Sequence, residues 1–295
     1  MKIISRNLHV FTATIFALAL VITASHAYAQ DAVRAEKAKA ANKAEYKNKS
    51  FCSNNSWSSD DKVSFSDLRE MTIPSSGSIV VDGRQNGGIS VKGEERSDVL
   101  VRACVQSWGA TDEAAKAVAS NIRIGTSGTI KAEGPDVEKG WSVSYQILAP
   151  RNSNLNLKAH NGGISVSGID GTAEFETLNG GLHVSELSGN IKGRTANGGV
   201  HVTLAGTSWR GTGLDLQTTN GGVHLTMSRN YAARIETGTV NGGFHSEVPA
   251  LQVEKTDDGY KHRAKRITAD INGGGAPIRL ITTNGGVHIN TLENE

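Results

Sequence analysis

The chain has 295 residues, 20% of them charged, with 31 Lys and Arg against 29 Asp and Glu. Lys2 and Arg6, the two-residue basic excess, fall in a segment expected to be removed, so the mature chain is neutral. Neutrality excludes a global positive field for nucleic acid or anionic membrane and leaves only a local patch for such binding.

Residues 1–29 read as a signal peptide. Lys2 and Arg6 precede an apolar stretch from Val10 to Ile22, and Ala27-Tyr28-Ala29 supplies a small-x-small cleavage site. The apolar run is short for a bilayer span and has no later counterpart, so no transmembrane segment is expected in the mature chain. The expected product is exported to the periplasm, the cell surface or the medium and begins near Gln30. No cysteine at the cleavage point suggests a lipid anchor.

Residues 30–50 (QDAVRAEKAKAANKAEYKNKS) are rich in Ala, Lys and Glu and read as a flexible or weakly helical spacer. An N-terminal β region is expected over 51–150, where SIVVDG, DVLVRACV and WSVSYQIL alternate with the period of half-buried strands. TDEAAKAVASNI interrupts them as a short helix, with Thr111 as N-cap, acids in the first turn and Ala114, Val118 and Ile122 on one side. The only cysteines are Cys52 and Cys104. In an exported chain they predict a disulfide, worth about 3–4 kcal/mol by the chain-entropy model. The C-x-x-C spacing of a metal or redox site is missing.

Residues 151–295 are dominated by a repeat. Asn-Gly-Gly begins at Asn86 and again at Asn161, Asn179, Asn197, Asn220, Asn241, Asn272 and Asn284. Spacings near twenty residues predict stacked supersecondary units. Alternating strands precede the tripeptide (Leu155 and Leu157, Ala173 and Phe175, Leu214 and Leu216) and follow it (Leu182 and Val184, Val200 and Val202, Val287 and Ile289). Asn-Gly-Gly then reads as a corner, with Asn and Gly supplying left-handed conformations and the amides free to form a ladder. The copy at Asn272 departs: its strand alternation fits better with Gly273 in the Asn place, which puts Pro277 where the others have His. The expected class is all-β, a single-stranded β-solenoid of Asn-Gly-Gly-cornered rungs with one short N-terminal helix.

His183, His201, His224, His245 and His288 stand two places after the second glycine, with Ser90 and Ser165 at the earlier equivalents. Alternation turns them outward as a ladder with the spacing of neighbouring strands, about 4.8 Å. Three readings follow. The ladder is a stacked surface, a metal or other ligand contact through His183, His201, His224 and His245, or a pH sensor.

Two insertions read as candidate contact loops. GTSWRG sets Trp209 beside Arg210, a pair suited to a sugar face or an anion, or else a tryptophan closing the side of the stack. EKTDDGYKHRAKR reads as a hairpin carrying Tyr260, Lys261 and Arg263, a small basic patch for a polyanionic glycan or a solvated loop. Catalysis finds little support. Asp170, Glu174, Glu176, Glu186 and Asp215 are read as sharing no offset in the repeat, and G-x-S-x-G, H-E-x-x-H and phosphate loops are missing. No catalytic residue and no cofactor is expected.

The run WSVSYQILAPRNSNLNLKAHNGGISVSGIDG, followed by repeated Asn-Gly-Gly units behind a signal peptide, resembles a bacterial β-strand-repeat family of unknown function labelled "putative adhesin", related to toast-rack modules. The resemblance covers roughly Gly77 to Asn290. It implies a β-solenoid in or outside the cell envelope and brings no catalytic residues. The expected function is a non-enzymatic, adhesin-like or structural interaction module, with an envelope glycan or another envelope protein as partner. The alternatives are a secreted carbohydrate-active enzyme and a metal-binding envelope protein.

Overall fold

In the computed structural model of the protein, residues 51–52, 62–135, 140–252 and 265–292 are described. The signal-peptide and spacer segments, and Tyr260, Lys261 and Arg263, lie outside them. The chain divides into residues 1–53 and 54–295, and of the first unit only Phe51 and Cys52 are described. Cys52 and Cys104 are both disulfide-bonded. No helix among the described residues is long and apolar enough to cross a membrane.

The second unit is all-β, with one α-helix among its described residues. In chain order the strands are β1 (Val63–Pro74), β2 (Ser78–Asp82), β3 (Ile89–Glu94) and β4 (Asp98–Gly109). Helix α1 (Asp112–Ser120) leads to β5 (Arg123–Gly125), β6 (Thr129–Glu133) and β7 (Trp141–Pro150). The repeats give β8 (Asn154–Ala159), β9 (Ile164–Ser167), β10 (Asp170–Asn179), β11 (Leu182–Ser185), β12 (Ser188–Asn197) and β13 (Val200–Thr203). They continue as β14 (Gly213–Asn220), β15 (Val223–Ser228), β16 (Ala233–Asn241), β17 (Phe244–Ser246), β18 (Lys265–Ile271), β19 (Pro277–Asn284) and β20 (Val287–Leu292).

Each corner sends its preceding strand to one sheet and its following strand to the other. The two ten-stranded sheets run β1-β4-β7-β3-β9-β11-β13-β15-β20-β17 and β18-β16-β19-β14-β12-β10-β8-β2-β6-β5. Corner-linked strands stack in parallel and in register, so Leu182 lies beside Val200 and Phe175 beside Gly193. Inward residues of both sheets, among them Leu157, Phe175, Leu216 and Leu280 against Ile164, Leu182, Val200 and Val287, fuse into one core cluster. Burial of this repeated apolar row, about 25 cal/mol per Å² of apolar surface, is what holds one rung on the next.

Chain order and stacking order differ at both ends. The β2–β3 rung packs directly on β8–β9, although β4 to β7 intervene in the chain, so strands on both sides of residue 150 share sheets. The β19–β20 rung is inserted between β14–β15 and β16–β17. The corners have interchangeable shapes, so their sequence positions do not dictate which neighbour they take. The Asn272 copy is no corner. Asn272 and Gly273 to Gly275 all have positive φ and join β18, antiparallel on β16, to β19.

Antiparallel strands finish the other end. β4 pairs with both β1 and β7, and β5 with β6. Thr111 caps α1 by accepting from the Ala114 amide, as its sequence position predicts. The helix buries Ala115, Ala119 and the following Ile122, while Ala114 is exposed and Val118 half-buried, so the inward side is rotated from the expected one. Arg69 fixes that orientation by donating to the carbonyls of Ala119 and Ile122 at the helix end.

Candidate functional site

The corners are built from two ladders of side-chain hydrogen bonds. Asn161 donates its side-chain amide to the Asn86 side-chain oxygen at 3.0 Å. The series continues at 2.8 Å from Asn179 to Asn161, Asn197 to Asn179, Asn220 to Asn197, Asn284 to Asn220 and Asn241 to Asn284. Two places before each of the last five asparagines stands a buried threonine. Thr177, Thr195, Thr218, Thr282 and Thr239 donate to the carbonyls of Gly162, Gly180, Gly198, Gly221 and Gly285 in the preceding rung, at 2.7–2.8 Å. Thr195→Val keeps the shape and leaves the Gly180 carbonyl without its partner. A loss of about 1–3 kcal/mol is expected in urea unfolding, and an unchanged midpoint would show that the hydroxyl contributes nothing.

Left-handed backbone is not why the glycines are there. None of the seven ladder asparagines has positive φ, and of the corner glycines only Gly285 does. The first glycine is required by close approach, because a Cβ on Gly180 or Gly198 would overlap the backbone of the preceding corner. The second glycine meets the histidine. A Cβ on Gly181, Gly199 or Gly286 would stand 3.2 Å from Nε2 of His183, His201 or His288, since each imidazole folds back over its own corner.

The five histidines are in register on the outer face, in the order His183, His201, His224, His288, His245. Ring centroids are 4.6, 4.6 and 5.1 Å apart along the first four, with planes within 7° of parallel. His245 breaks the stack, at 6.3 Å and 47° from His288. Beside them runs a column of hydroxyl and amide side chains, Ser185, Thr203, Thr226 and Asn290. Desolvation, then the neighbouring His183 and His224, holds His201 below the ordinary histidine value. His224 is lowered by desolvation and then by His288.

Stacked rings send their in-plane lone pairs along parallel lines, whereas a chelated ion needs lone pairs that converge. Among the described residues no group of three or more His, Cys, Asp or Glu is placed to hold a metal ion. Trp209 is 8% exposed and its indole donates to the Gly189 carbonyl, which makes the ring part of the packing. Arg210 is exposed and lies against the preceding rung, 3.5 Å from Asp170 and 3.3 Å from the Ser188 hydroxyl.

The opposite sheet carries a feature that the sequence reading missed. A groove of about 650 Å³ is lined by Glu174, Glu176, Lys192, Arg194, Asp215 and Gln217, with threonines and small residues beside them. Glu174, Lys192, Asp215, Arg279 and Glu236 all stand five places before their asparagine, and Glu176 and Arg194 three places before. The acids do share an offset; basic residues alternate with them from rung to rung, so counting back from each asparagine would have found the row. At its far end Arg279 pairs with Asp215 at 2.9 Å and Glu236 at 3.4 Å, and Arg266 with Glu236 at 3.0 Å.

No known protein-family profile matches the chain. A search of curated proteins likewise finds no match. Among solved structures, the chain is similar to a "putative cell adhesion protein" from Clostridium sporogenes ATCC 15579, at 10% identity and a TM-score of 0.38, over 77% of this chain and 100% of that one. It is also similar to a "putative adhesin" from Bacteroides fragilis NCTC 9343, at 10% identity and a TM-score of 0.33, over 77% and 97%. A third is a "putative lipid binding protein" from Parabacteroides distasonis ATCC 8503, at 11% identity and a TM-score of 0.26, over 77% and 97%. Likenesses at this level carry no function onto the chain.

Proposed function

We propose that the chain is an exported, non-enzymatic β-solenoid that serves as an envelope-associated interaction or structural module, adhesin-like in use, with an envelope glycan or another envelope protein as partner. The observation that carries this reading is the continuous register of the asparagine, histidine and hydroxyl columns across the rungs. Such a face offers the same polar groups at a fixed repeat, which suits an extended, repeating partner better than a single small substrate. The secretion-type N-terminus and the disulfide-bonded cysteines support an oxidising compartment outside the cytoplasm.

The charged groove favours a second reading, a carbohydrate-active enzyme, because Glu174, Glu176 and Asp215 line it together with Lys192 and Arg194. One experiment separates the two. The mature protein is incubated with a panel of envelope and plant glycans, and both retention and released product are read. Retention without product is expected. Product release that disappears in Glu176→Gln would overturn the non-enzymatic reading.

A further inference from the structure

We propose that the outer face of β8, β10, β12 and β14 docks a second copy of this chain through a two-fold axis running parallel to the strands between β10 and β12. The four charges nearest that line are Glu174 and Glu176 on one strand and Lys192 and Arg194 on the next. Register sets each acid beside a base, yet among the described residues none of the four makes an ion pair or a side-chain hydrogen bond, in contrast to the Asp215–Arg279–Glu236–Arg266 network on the same face. The groove of about 650 Å³ lies over them.

Their arrangement is its own complement. Rotation about the stated axis exchanges the two strands while keeping each position along them. Glu174 then faces Lys192 of the second copy, Glu176 faces Arg194, and the symmetry repeats both pairs. Leu178, 41% exposed and one of the few large apolar side chains left at the surface, comes to face Ala196. Further out Lys158 is set against Gln217, and Asn156 against Asp215. A two-fold along the stacking direction is excluded by the same charges, since it would face Glu174 with Glu176 and Lys192 with Arg194. Isologous, self-complementary patches of this kind are the ordinary route to a closed dimer, and aligned face-to-face packing is an ordinary geometry for sheets. Long Lys and Arg side chains entering the opposing groove fill the space that the single molecule leaves open.

Exposed ion pairs are screened, so the association is expected to be weak and salt-sensitive. Sedimentation equilibrium of the mature full chain tests it, with thermal melts confirming that each variant is folded. Wild type should dimerise at low ionic strength and dissociate at least about tenfold more readily at about 0.5 M salt. Glu176→Arg and Arg194→Glu alone should each weaken the dimer by about tenfold or more. The double exchange E176R/R194E rebuilds both symmetric pairs and should return affinity to within about threefold of wild type. Should a single variant fail to fold, concentration-dependent amide-exchange protection of β10 and β12 in wild type replaces it, and its absence counts against the dimer. A monomer at all concentrations in low salt, unchanged association in the single variants, or a double variant as weak as the singles would overturn the proposal. So would a monomer whose glycan retention is lost on Arg194→Glu, which would give the face to a glycan.

Discussion

Gly198→Ala is expected to lose about 3 kcal/mol or more, at or above the upper end of ordinary overpacking losses, or to prevent folding altogether. The added Cβ would overlap the Gly180 carbonyl and stand 2.8 Å from the Gly181 nitrogen, and both are backbone atoms of the preceding corner. Those atoms cannot turn aside. Gly180 is itself held by the Thr195 hydroxyl at 2.7 Å, and the Gly198 amide donates to the Asn220 carbonyl at 2.9 Å on the other side. Relieving the clash would therefore spread the stack across three rungs. Gly199→Ala, one residue on, provides the control. Its Cβ would meet His201 Nε2 at 3.2 Å and the Gly222 carbonyl at 3.4 Å, and the nearer atom is the tip of an exposed side chain that needs to give by only a few tenths of an ångström. With φ outside the left-handed region, alanine there also restricts the unfolded chain, so the net change should be within about 1 kcal/mol. Urea unfolding of the two variants side by side checks the contrast. Equal losses would mean that the corner tolerates no Cβ anywhere and that backbone approach is not the deciding contact.

Periodicity carried much of this fold into view. Leu155, Phe175, Leu182 and Val200 point inward as their alternation predicts, and the amide ladder follows from asparagines that recur at the corner. What periodicity cannot rank is identical neighbours. Asn220, Asn241 and Asn284 present the same corner, yet Asn284 stands between the other two, an order that repetition alone does not set. Likewise Asn86 and Asn161 are 75 residues apart and touch only because β4 to β7 leave and return. The charged row was legible in principle, being written at fixed distances before asparagine. It emerges only when positions are counted back from asparagine, where Glu174, Asp215 and Glu236 share one offset and Lys192 and Arg279 take the rungs between them.

The corner also changes what the histidine means. The imidazole lies over the second glycine, so that glycine leaves room for the ring while the first leaves room for the neighbouring backbone. Ser90 and Ser165 occupy the same column where no histidine is present, which shows that the corner forms without the ring. Stacking therefore adds a feature to a corner that is already stable, and acid is the condition that should expose it.

Stability is expected to fall as pH drops through about 6.5, the ordinary histidine value, and the fall should depend on His201 and His224. Both have folded-state values below that of the unfolded chain, through desolvation first and neighbouring rings second. A lowered value means that the folded state resists taking a proton which the unfolded state accepts. The full stability is thus present above about 6.5, is lost as pH falls through it, and the loss is complete once pH lies below the lowered folded values. Each ring that charges makes the next harder to charge, so the transition should be broad. Carboxylates are separable from this window. Glu113 and Glu247, lowered chiefly by hydrogen bonds to backbone amides, and Glu133, lowered by Lys131, lose their contribution only as pH falls below their ordinary 4.5. Denaturant midpoints at pH 7.5 and 5.5 should therefore differ in wild type, and His201→Ser/His224→Ser should remove about half of that difference or more, serine being the side chain the same column already accepts. An identical fall in the double variant would assign the acid sensitivity to other groups and leave the ladder a neutral stack.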